Sequence, residues 1–184
     1  MSSTTTLPVR DVAGGKFLTF VLAGEEYGLE ILKVQEIMAI LPITRVPRTP
    51  AHIRGVINLR GKVIPIVDLR CKLGITDDTP SLGNAAGTGA ANGTRLRDTC
   101  IIVVEVVGQK IGIIVDEVAE VRGITTGEIE PPPAFGTHVD TAFLLGLAKA
   151  EGRVRLLLDI ERVLTADDIA DLAALQQPAE DTAA

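Results

Sequence analysis

The sequence predicts a mainly β protein that contains two similar small barrels and one C-terminal helix. Hydrophobic residues make up 46% of the chain but aromatic residues only 3%, so the core must come largely from Val, Ile, Leu and Ala. β-Branched side chains of this kind pack well in sheets. Short segments with a period of two are separated by glycines, which is typical of strands joined by tight turns. The second half of the chain repeats this pattern, and closing each half into a barrel would remove exposed strand edges.

The internal repeat is visible when the two halves are aligned. Glycines, apolar residues and acidic residues recur at equivalent positions. The aligned pairs are Gly24 with Gly108, Gly28 with Gly112, Val34 with Val118, Glu36 with Glu120, Gly55 with Gly146, Gly61 with Gly152, and Asp68 with Asp159. Chance similarity between two Val- and Ile-rich segments is the alternative, but the paired glycines favour a true repeat.

The first barrel module is predicted at residues 16–75. Residues 27–32 have a period of two, which indicates a strand. A polar break at 24–26 precedes this strand, and a second break at 58–61 separates two apolar runs. Each break contains a glycine, which can adopt the positive φ that a tight hairpin turn requires. The module therefore contains two predicted hairpins.

The second barrel module is predicted at residues 99–164. Residues 111–115 keep the same period of two, and breaks at 108–110 and 149–152 again predict two hairpins. Each module is close to the lower size limit for a domain that folds alone. We therefore expect the modules to pack on each other, with a groove between them.

Three further segments are expected to lie outside the barrels. Residues 1–15 are predicted to be a flexible N-terminal tail. Residues 76–98 are rich in Gly, Ala, Asn and Thr and are predicted to form a mobile inserted loop. Residues 177–184 are predicted to be a disordered tail.

One helix is predicted, at residues 165–176. The segment 165–168 has the spacing of a capping box, in which the first and fourth side chains satisfy each other's backbone amides. Ile169, Leu172 and Leu175 then form an apolar stripe on one face.

Charge and composition exclude several functions. The net charge of −6 argues against nucleic acid, because phosphate binding normally requires a basic surface. The start of the chain does not resemble a signal peptide, and no apolar stretch approaches the ~20 residues that cross a bilayer. Cys71 and Cys100 are expected to be buried free thiols in a reducing compartment. We therefore expect a cytoplasmic protein without direct membrane insertion.

The motifs that most enzymes require are not found in the sequence. His52 and His138 have no second His or Cys at metal-ligand spacing, and Ser81 lacks the Gly-x-Ser-x-Gly elbow. Asp68 and Asp159 are equivalent in the repeat, so a hydrolase that uses both carboxylates is the enzyme alternative. Acids at strand ends more often accept hydrogen bonds from turn amides. We expect no catalytic activity, no cofactor and no metal.

Four segments carry a resemblance to a known family. The first half contains FLTFVLAGEEYGLEILKVQEI and TRVPRTPAHIRGVINLRGKVIPIVDLR, and the second contains DEVAEVRGITTGEIEPPP and FLLGLAKAEGRVRLLLDIERVL. Together they closely resemble the CheW-type coupling proteins of bacterial chemotaxis, from about Lys16 to about Leu175. The most specific part is GVINLRG at residues 55–61.

The resemblance implies two SH3-like five-stranded β-barrels without catalytic activity. It further implies an adaptor that couples the cytoplasmic tips of methyl-accepting chemoreceptors to the regulatory domain of the histidine kinase CheA. Such an adaptor works in receptor arrays at the inner face of the membrane, and the helical receptor tip is expected in the groove between the barrels. The alternative is a CheW-like module detached from a larger signalling kinase or from a receiver-containing coupling protein.

The resemblance also implies a receptor- and kinase-binding site in the first module. The residues that match by position, with their neighbours, are Val34, Glu36, Ile37, Gly55, Val56, Asn58 and Arg60. Arg60 is expected at a hairpin tip, where its guanidinium can reach Glu36 or a partner carboxylate. The equivalent residue of the second module is Glu151, which reverses the charge. The surface around 104–118 is a candidate kinase contact.

Five of these residues also have a purely structural interpretation. Arg60 is then a solvated turn residue, and Glu36 a surface carboxylate. Val34 and Ile37 then belong to the core, and Gly55 is needed only for its backbone freedom.

Overall fold

The computed structural model describes residues 14–75, 99–132 and 142–176, which form eleven strands and three helices. The predicted N-terminal tail (except residues 14 and 15), the inserted loop and the C-terminal tail lie outside the described residues. The strands are β1 (Gly15–Leu22), β2 (Glu25–Glu30), β3 (Val34–Ala39), β4 (Ile53–Leu59), β5 (Lys62–Asp68), β6 (Cys100–Val106), β7 (Gln109–Val115), β8 (Glu117–Ile124), β9 (Ile129–Glu130), β10 (Leu144–Ala150) and β11 (Arg153–Leu158). The helices are α1 (Leu69–Lys72), α2 (Ile160–Val163) and α3 (Ala166–Gln176).

The strands form two sheets. The six-stranded sheet has the order β8-β1-β2-β11-β10-β9, and the five-stranded sheet has the order β3-β6-β7-β5-β4. Neighbours are antiparallel except for β2 with β11 and β5 with β7, which are parallel. The mainly β architecture with a C-terminal helix is therefore as predicted.

The two sequence repeats exchange their first hairpins. The β1–β2 hairpin pairs with β8 and β11 of the second repeat, and the β6–β7 hairpin pairs with β3 and β5 of the first. The predicted division at 16–75 and 99–164 describes the repeat and does not describe the sheets. The chain crosses between sheets through the 3₁₀ turn Ile31–Lys33 and again at Asp116.

Four hairpins have the same two-residue turn. Both central residues have positive φ in each, as in a type I′ turn, whose twist matches that of paired strands. The turns are Ala23–Gly24, Arg60–Gly61, Val107–Gly108 and Glu151–Gly152. The glycines of the predicted breaks are therefore the second turn residues, and the first is a residue with a side chain.

Three apolar clusters make up the core. The largest lies between the sheets and combines one face of β1 and β2 with one face of β6 and β7. The second cluster lies on the other face of the five-stranded sheet, and the third on the other face of the six-stranded sheet. Strands β1, β6 and β7 thus bury residues on both faces, which holds the two sheets together as one packed unit.

The C-terminal helix α3 is anchored to the five-stranded sheet as well as capped. Thr165 and Asp168 form the predicted capping box, with 2.8 Å from the Thr165 amide to Asp168 Oδ2 and 3.3 Å from the Asp168 amide to Thr165 Oγ1. Asp168 also lies 2.6 Å from His52 Nε2 and accepts a hydrogen bond from Lys72. Leu172 is buried in the core between the sheets, as the stripe predicts.

The Asp168 network predicts a pH-dependent contribution to stability. Burial alone would raise the pKa of Asp168, but hydrogen bonds from Lys72 and Thr165 outweigh it and lower the pKa to about 2. Because an unfolded aspartate has a pKa of about 3.9, this carboxylate stabilises the fold above about pH 4, and that contribution is lost as the pH falls towards 2. Asp168→Asn should lower the free energy of unfolding by about 2 kcal/mol at pH 7.

Urea unfolding of Asp168→Asn and wild type at several pH values measures this contribution. The difference between them should shrink as the pH falls through about 4 to about 2. Asp171→Asn is the matched control, since Asp171 lies exposed on the same helix. A difference between Asp168→Asn and wild type that stays constant over that pH range would contradict the assignment.

The cysteines are free, as predicted, but the burial predicted for them is wrong for Cys71. Cys71 lies in the short helix α1, whose first turn is capped by Asp68, and the residue is exposed. Cys100 begins β6 and is partly buried. The strand-like sequence around Cys71 does not reveal that the strand ends three residues earlier, at Asp68.

Candidate functional site

Arg60 and Glu36 form a two-point ion pair on the surface of the five-stranded sheet. Arg60 Nη2 donates to Glu36 Oε1 at 2.8 Å, and Nη1 donates to Oε2 at 3.2 Å. The Arg60 side chain is 76% exposed and that of Glu36 32%. Parallel hydrogen bonds of this kind fix both side chains in one geometry. The Arg60 guanidinium therefore keeps an open face towards solvent while its position is held.

This ion pair joins two edges of one sheet. Glu36 lies on β3 and Arg60 lies at the tip of the β4–β5 hairpin, and β3 and β4 are the opposite edges of the five-stranded sheet. Thr44, which follows β3, also pairs with Val56 of β4 through backbone hydrogen bonds of 2.9 Å. The edges are thus brought together, as in a small barrel.

The six-stranded sheet has a similar ion pair with the charges reversed, although its arginine, Arg122, lies two residues after Glu120, the counterpart of Glu36. Glu151 lies at the tip of the β10–β11 hairpin, and its Oε1 lies 2.7 Å from Nη2 of Arg122 on the edge strand β8. The hydrogen bond and charge of Arg122 lower the pKa of Glu151, and the hydrogen bond from Glu151 raises the pKa of Arg122. Sequence analysis predicted the charge reversal but missed Arg122.

Exposed apolar side chains accompany the ion pairs in both sheets. Ile37, next to Glu36, is 41% exposed, and Val121, next to Arg122, is 50% exposed. Val63 and Val154, near the start of β5 and β11, are also exposed. The repeat aligns Ile37 with Val121 and Val63 with Val154. Comparison of the two repeats could therefore have identified Val63, Val121 and Val154 as candidate site residues.

The remaining predicted site residues have mixed positions. Asn58 Oδ1 accepts a hydrogen bond of 3.0 Å from the Gly61 amide, so Asn58 stabilises the Arg60 turn. Gly55 is buried with φ of +142°, and Val56 beside it is partly exposed. Val34 packs against the large core between the sheets, so the structural interpretation applies to it.

A basic depression adjoins this surface. It has a volume of about 350 Å³ and is lined by the chain from Arg45 to Ala51 together with Ile53 and Arg54. Arg45 and Arg48 are exposed, whereas Arg54 donates to Asp68 Oδ2 at 2.6 and 2.9 Å. Sequence analysis did not single out these arginines. Their positive charge suits an acidic partner surface.

Only part of the surface around 104–118, the candidate kinase contact, is exposed. Strands β6 and β7 lie inside the five-stranded sheet, and almost all their apolar residues are fully buried. The exposed residues of this segment lie in the hairpin turn or at alternate positions of the strands. Val107, at the hairpin tip, is the largest exposed apolar residue among them.

Asp68 and Asp159 do not form a catalytic pair. Asp68 Oδ1 accepts hydrogen bonds from the amides of Arg70 and Cys71, and Asp159 Oδ1 accepts one from Glu161. Each is the N-cap of a separate short helix, α1 or α2, as the turn-amide interpretation predicts. Within the described ranges, no group of three or more His, Cys, Asp or Glu side chains is placed to hold a metal ion.

The fold and the site together define a class of protein: a two-sheet β module that presents charged and apolar side chains for binding protein partners. The helices in the described part of the chain are all too short or too polar to cross a membrane.

Comparison with known proteins gives the family. The family model of the CheW-like domain matches residues 16–168, and the chain belongs to this family. The chemotaxis protein CheW of Klebsiella aerogenes is 37% identical over 161 residues, which are 87% of this chain and 87% of that protein. The chemotaxis protein CheW of Bacillus subtilis is 32% identical over 157 residues, covering 82% and 87% respectively.

A solved structure confirms the fold. The crystal structure of the scaffolding protein TtCheW from Thermoanaerobacter tengcongensis is similar with a TM-score of 0.67 and 39% identity, covering 84% of this chain and 95% of that one. The prediction of two packed SH3-like barrels is confirmed by this similarity. The six-stranded sheet exceeds the predicted five strands because the two-residue strand β9 adds to its edge.

Proposed function

We propose that this protein is a non-catalytic adaptor that couples chemoreceptors to the histidine kinase CheA. Membership of the CheW-like family supports this proposal, as do its relatives, which are chemotaxis proteins. The arrangement of the candidate site supports it as well, since ordered charges and apolar side chains are displayed on the surface. In this proposal the protein is cytoplasmic and reaches the inner face of the membrane only through receptor arrays.

The receptor contact is proposed on the five-stranded sheet. Glu36, Ile37 and Arg60 offer both charges and one apolar side chain within a small area. A helical receptor tip needs such a combination, because apolar contact supplies affinity and charge fixes the orientation. Arg45 and Arg48 in the adjoining depression would attract acidic residues of the same partner.

The kinase contact is proposed to use the second copy of the arrangement. The Glu151–Arg122 pair reverses the polarity of the Arg60–Glu36 pair. An adaptor with two partners has to tell them apart, and opposite charges at the two equivalent hairpin tips discourage the wrong partner. Neither assignment needs bond-making chemistry, which agrees with the capping roles of Asp68 and Asp159.

The alternative of a module detached from a kinase or a receiver-containing protein has no support from the comparisons. The matches to CheW of Klebsiella aerogenes and Bacillus subtilis each cover 87% of the relative's own length.

Binding to each partner separately tests the proposal. The purified protein is immobilised and exposed to a receptor cytoplasmic fragment and, in a separate experiment, to the CheA regulatory domain. We expect both to bind reversibly, with binding that weakens as salt increases because charges contribute. Binding of neither fragment at low salt would contradict the proposed function.

A further inference from the structure

Ion pairs cross between the two sequence repeats wherever the exchanged hairpins meet their new neighbours. Lys33, which follows β2, lies 2.5 Å from Glu161 of α2. Arg70 of α1 forms an ion pair with Asp116, which follows β7. Each of these pairs joins a residue of the first repeat to a residue of the second. Both pairs lie at the connections where the chain passes from one sheet to the other.

A third group of charges lies between the parallel strands β2 and β11. Glu26 Oε1 lies 2.8 Å from Nη1 of Arg153, and Glu26 Oε2 lies 2.7 Å from Nε of Arg155. The Arg155 residue is only 5% exposed, so its guanidinium depends on this carboxylate. Glu26 belongs to the first repeat and both arginines to the second.

The charges at these positions are reversed between the repeats. The alignment that pairs Asp68 with Asp159 places Arg70 opposite Glu161. The alignment that pairs Gly28 with Gly112 places Glu26 opposite Lys110 and Lys33 opposite Glu117, beside Asp116. These three pairs of equivalent positions therefore carry opposite charges, whereas the counterpart of Asp116 is the uncharged Leu32.

The glycine contacts do not distinguish one hairpin from the other, although the β1–β2 hairpin buries three aromatic side chains where the β6–β7 hairpin has Ile and Val. A Cβ on Gly28 would lie 2.8 Å from Leu157 Cδ2, and a Cβ on Gly112 would lie 2.5 Å from Ile66 Cδ1. The alignment also pairs Ile66 with Leu157, so each hairpin offers the same glycine gap to a similar apolar side chain. The glycine contacts would fit either pairing.

Charge does distinguish the two pairings. Without exchange, each hairpin would lie against its own repeat. Glu161 would then face Glu117, the counterpart of Lys33, and Arg70 would lie beside Lys33, which adjoins Leu32, the counterpart of Asp116. Both contacts would then join like charges, which repel.

The buried arginine adds to this preference. Without exchange, Arg155 would lie beside Lys110 instead of Glu26. Lys62, the counterpart of Arg153, would gain Glu26, but Lys62 is exposed and Arg155 is buried, so the loss at Arg155 is larger.

We propose that the charges at Lys33, Arg70, Asp116 and Glu161, together with Glu26 and Arg155, direct the two hairpins to exchange between the repeats. They act against the non-exchanged fold, in which each repeat would close on its own hairpin. Charge thereby helps to specify which hairpin occupies each barrel, whereas the glycines specify only that a hairpin fits there.

The double variant Arg70→Glu with Glu161→Arg tests the proposal while it keeps the composition and net charge. In the exchanged fold it places the new glutamate against Asp116 and the new arginine against Lys33. In the non-exchanged fold both contacts become attractive. The matched control is Arg70→Gln with Glu161→Gln, which removes the ion pairs and favours neither fold.

Cross-strand nuclear Overhauser effects in the full-length protein report which strands are paired. After refolding, the control should show only the contacts of Gly28 with Leu157 and of Gly112 with Ile66, which mark the exchanged fold. The charge-reversed variant should show in addition contacts of Gly28 with Ile66, from a population on the order of 10% or more. Identical contact sets in the two variants would overturn the proposal.

If the double variant does not fold, a fourfold variant still tests the proposal. It adds Lys33→Glu and Asp116→Arg, which restores opposite charges in the exchanged fold. We expect it to refold to the exchanged contacts alone, with a melting temperature above that of the double variant. If the fourfold variant did not recover the exchanged contacts, the charges would not direct the pairing.

Discussion

Replacing Gly55 with alanine is expected to lower the free energy of unfolding by about 3–5 kcal/mol. A Cβ at this position would lie 2.1 Å from the carbonyl oxygen of Thr44 and 2.7 Å from its carbonyl carbon. Both atoms are backbone and cannot rotate away. The φ of +142° is in addition one that residues with a Cβ rarely adopt. Thr44 would have to leave β4, and the adjoining segment that carries Arg45 and Arg48 would move with it.

Urea unfolding of Gly55→Ala, followed by circular dichroism, measures the effect. Gly123→Ala is the matched control, since no atom lies within 4 Å of the added Cβ and its φ is unexceptional. Gly146→Ala, at the equivalent position of the other sheet, should have an intermediate cost, because its Cβ would lie 2.7 Å from Glu130 O without positive φ. If Gly55→Ala and Gly123→Ala had the same midpoint of urea unfolding, the contact between residue 55 and Thr44 would not be tight.

Arg60→Glu is expected to weaken binding of at least one partner about tenfold or more. The substitution places a carboxylate beside Glu36 and removes the ordered guanidinium that faces solvent. The fold should be retained, because the Arg60 side chain is largely exposed and Asn58 still supports the turn. Titration of a receptor cytoplasmic fragment and of the CheA regulatory domain against each variant gives the two dissociation constants.

Two control variants separate charge from turn geometry. Glu151→Arg changes the equivalent turn residue of the other hairpin, at nearly the same positive φ, and should not alter the affinity that Arg60→Glu reduces. The double variant Glu36→Arg with Arg60→Glu rebuilds the ion pair with opposite polarity. If the partner reads the polarity, this variant stays weak, whereas full recovery would mean that Arg60 only holds Glu36 in place. Wild-type affinity of Arg60→Glu for both partners would contradict the proposed site.

The local elements of the fold could be predicted because short-range patterns determine them. The hairpins follow from glycines at fixed positions between segments of period two, and α3 follows from the Thr165–Asp168 capping box. The reach of Arg60 to Glu36 could also be foreseen, since Arg60 is a turn residue with a long side chain.

The exchange of hairpins could not be read from local patterns. Both repeats have strands of period two and the same glycine gaps, although their apolar side chains differ in size, so either pairing satisfies the periodicity. What differs is charge at positions far apart in the chain, such as Lys33 with Glu161 and Arg70 with Asp116. Such information becomes visible only once the two repeats are placed against each other.

The same reason accounts for the misjudged site residues. Val34 and Ile37 lie three residues apart on β3, and sequence pattern could not tell which one faces the core. The pairing of β3 with β6 places Val34 against the core and leaves Ile37 exposed. Most apolar residues at 104–118 are buried because both faces of β6 and β7 are packed, while residues at and around the hairpin tip are exposed.

Co-sedimentation with receptor-containing membranes tests the central claim that the protein is a connector between receptor and kinase. Membranes are pelleted with CheA in the presence and absence of this protein, at constant salt. We expect the protein to pellet with the membranes alone, and the amount of CheA in the pellet to rise about fivefold or more when the protein is added, because each link strengthens the others. An unchanged amount of pelleted CheA, with this protein left in the supernatant, would contradict the account.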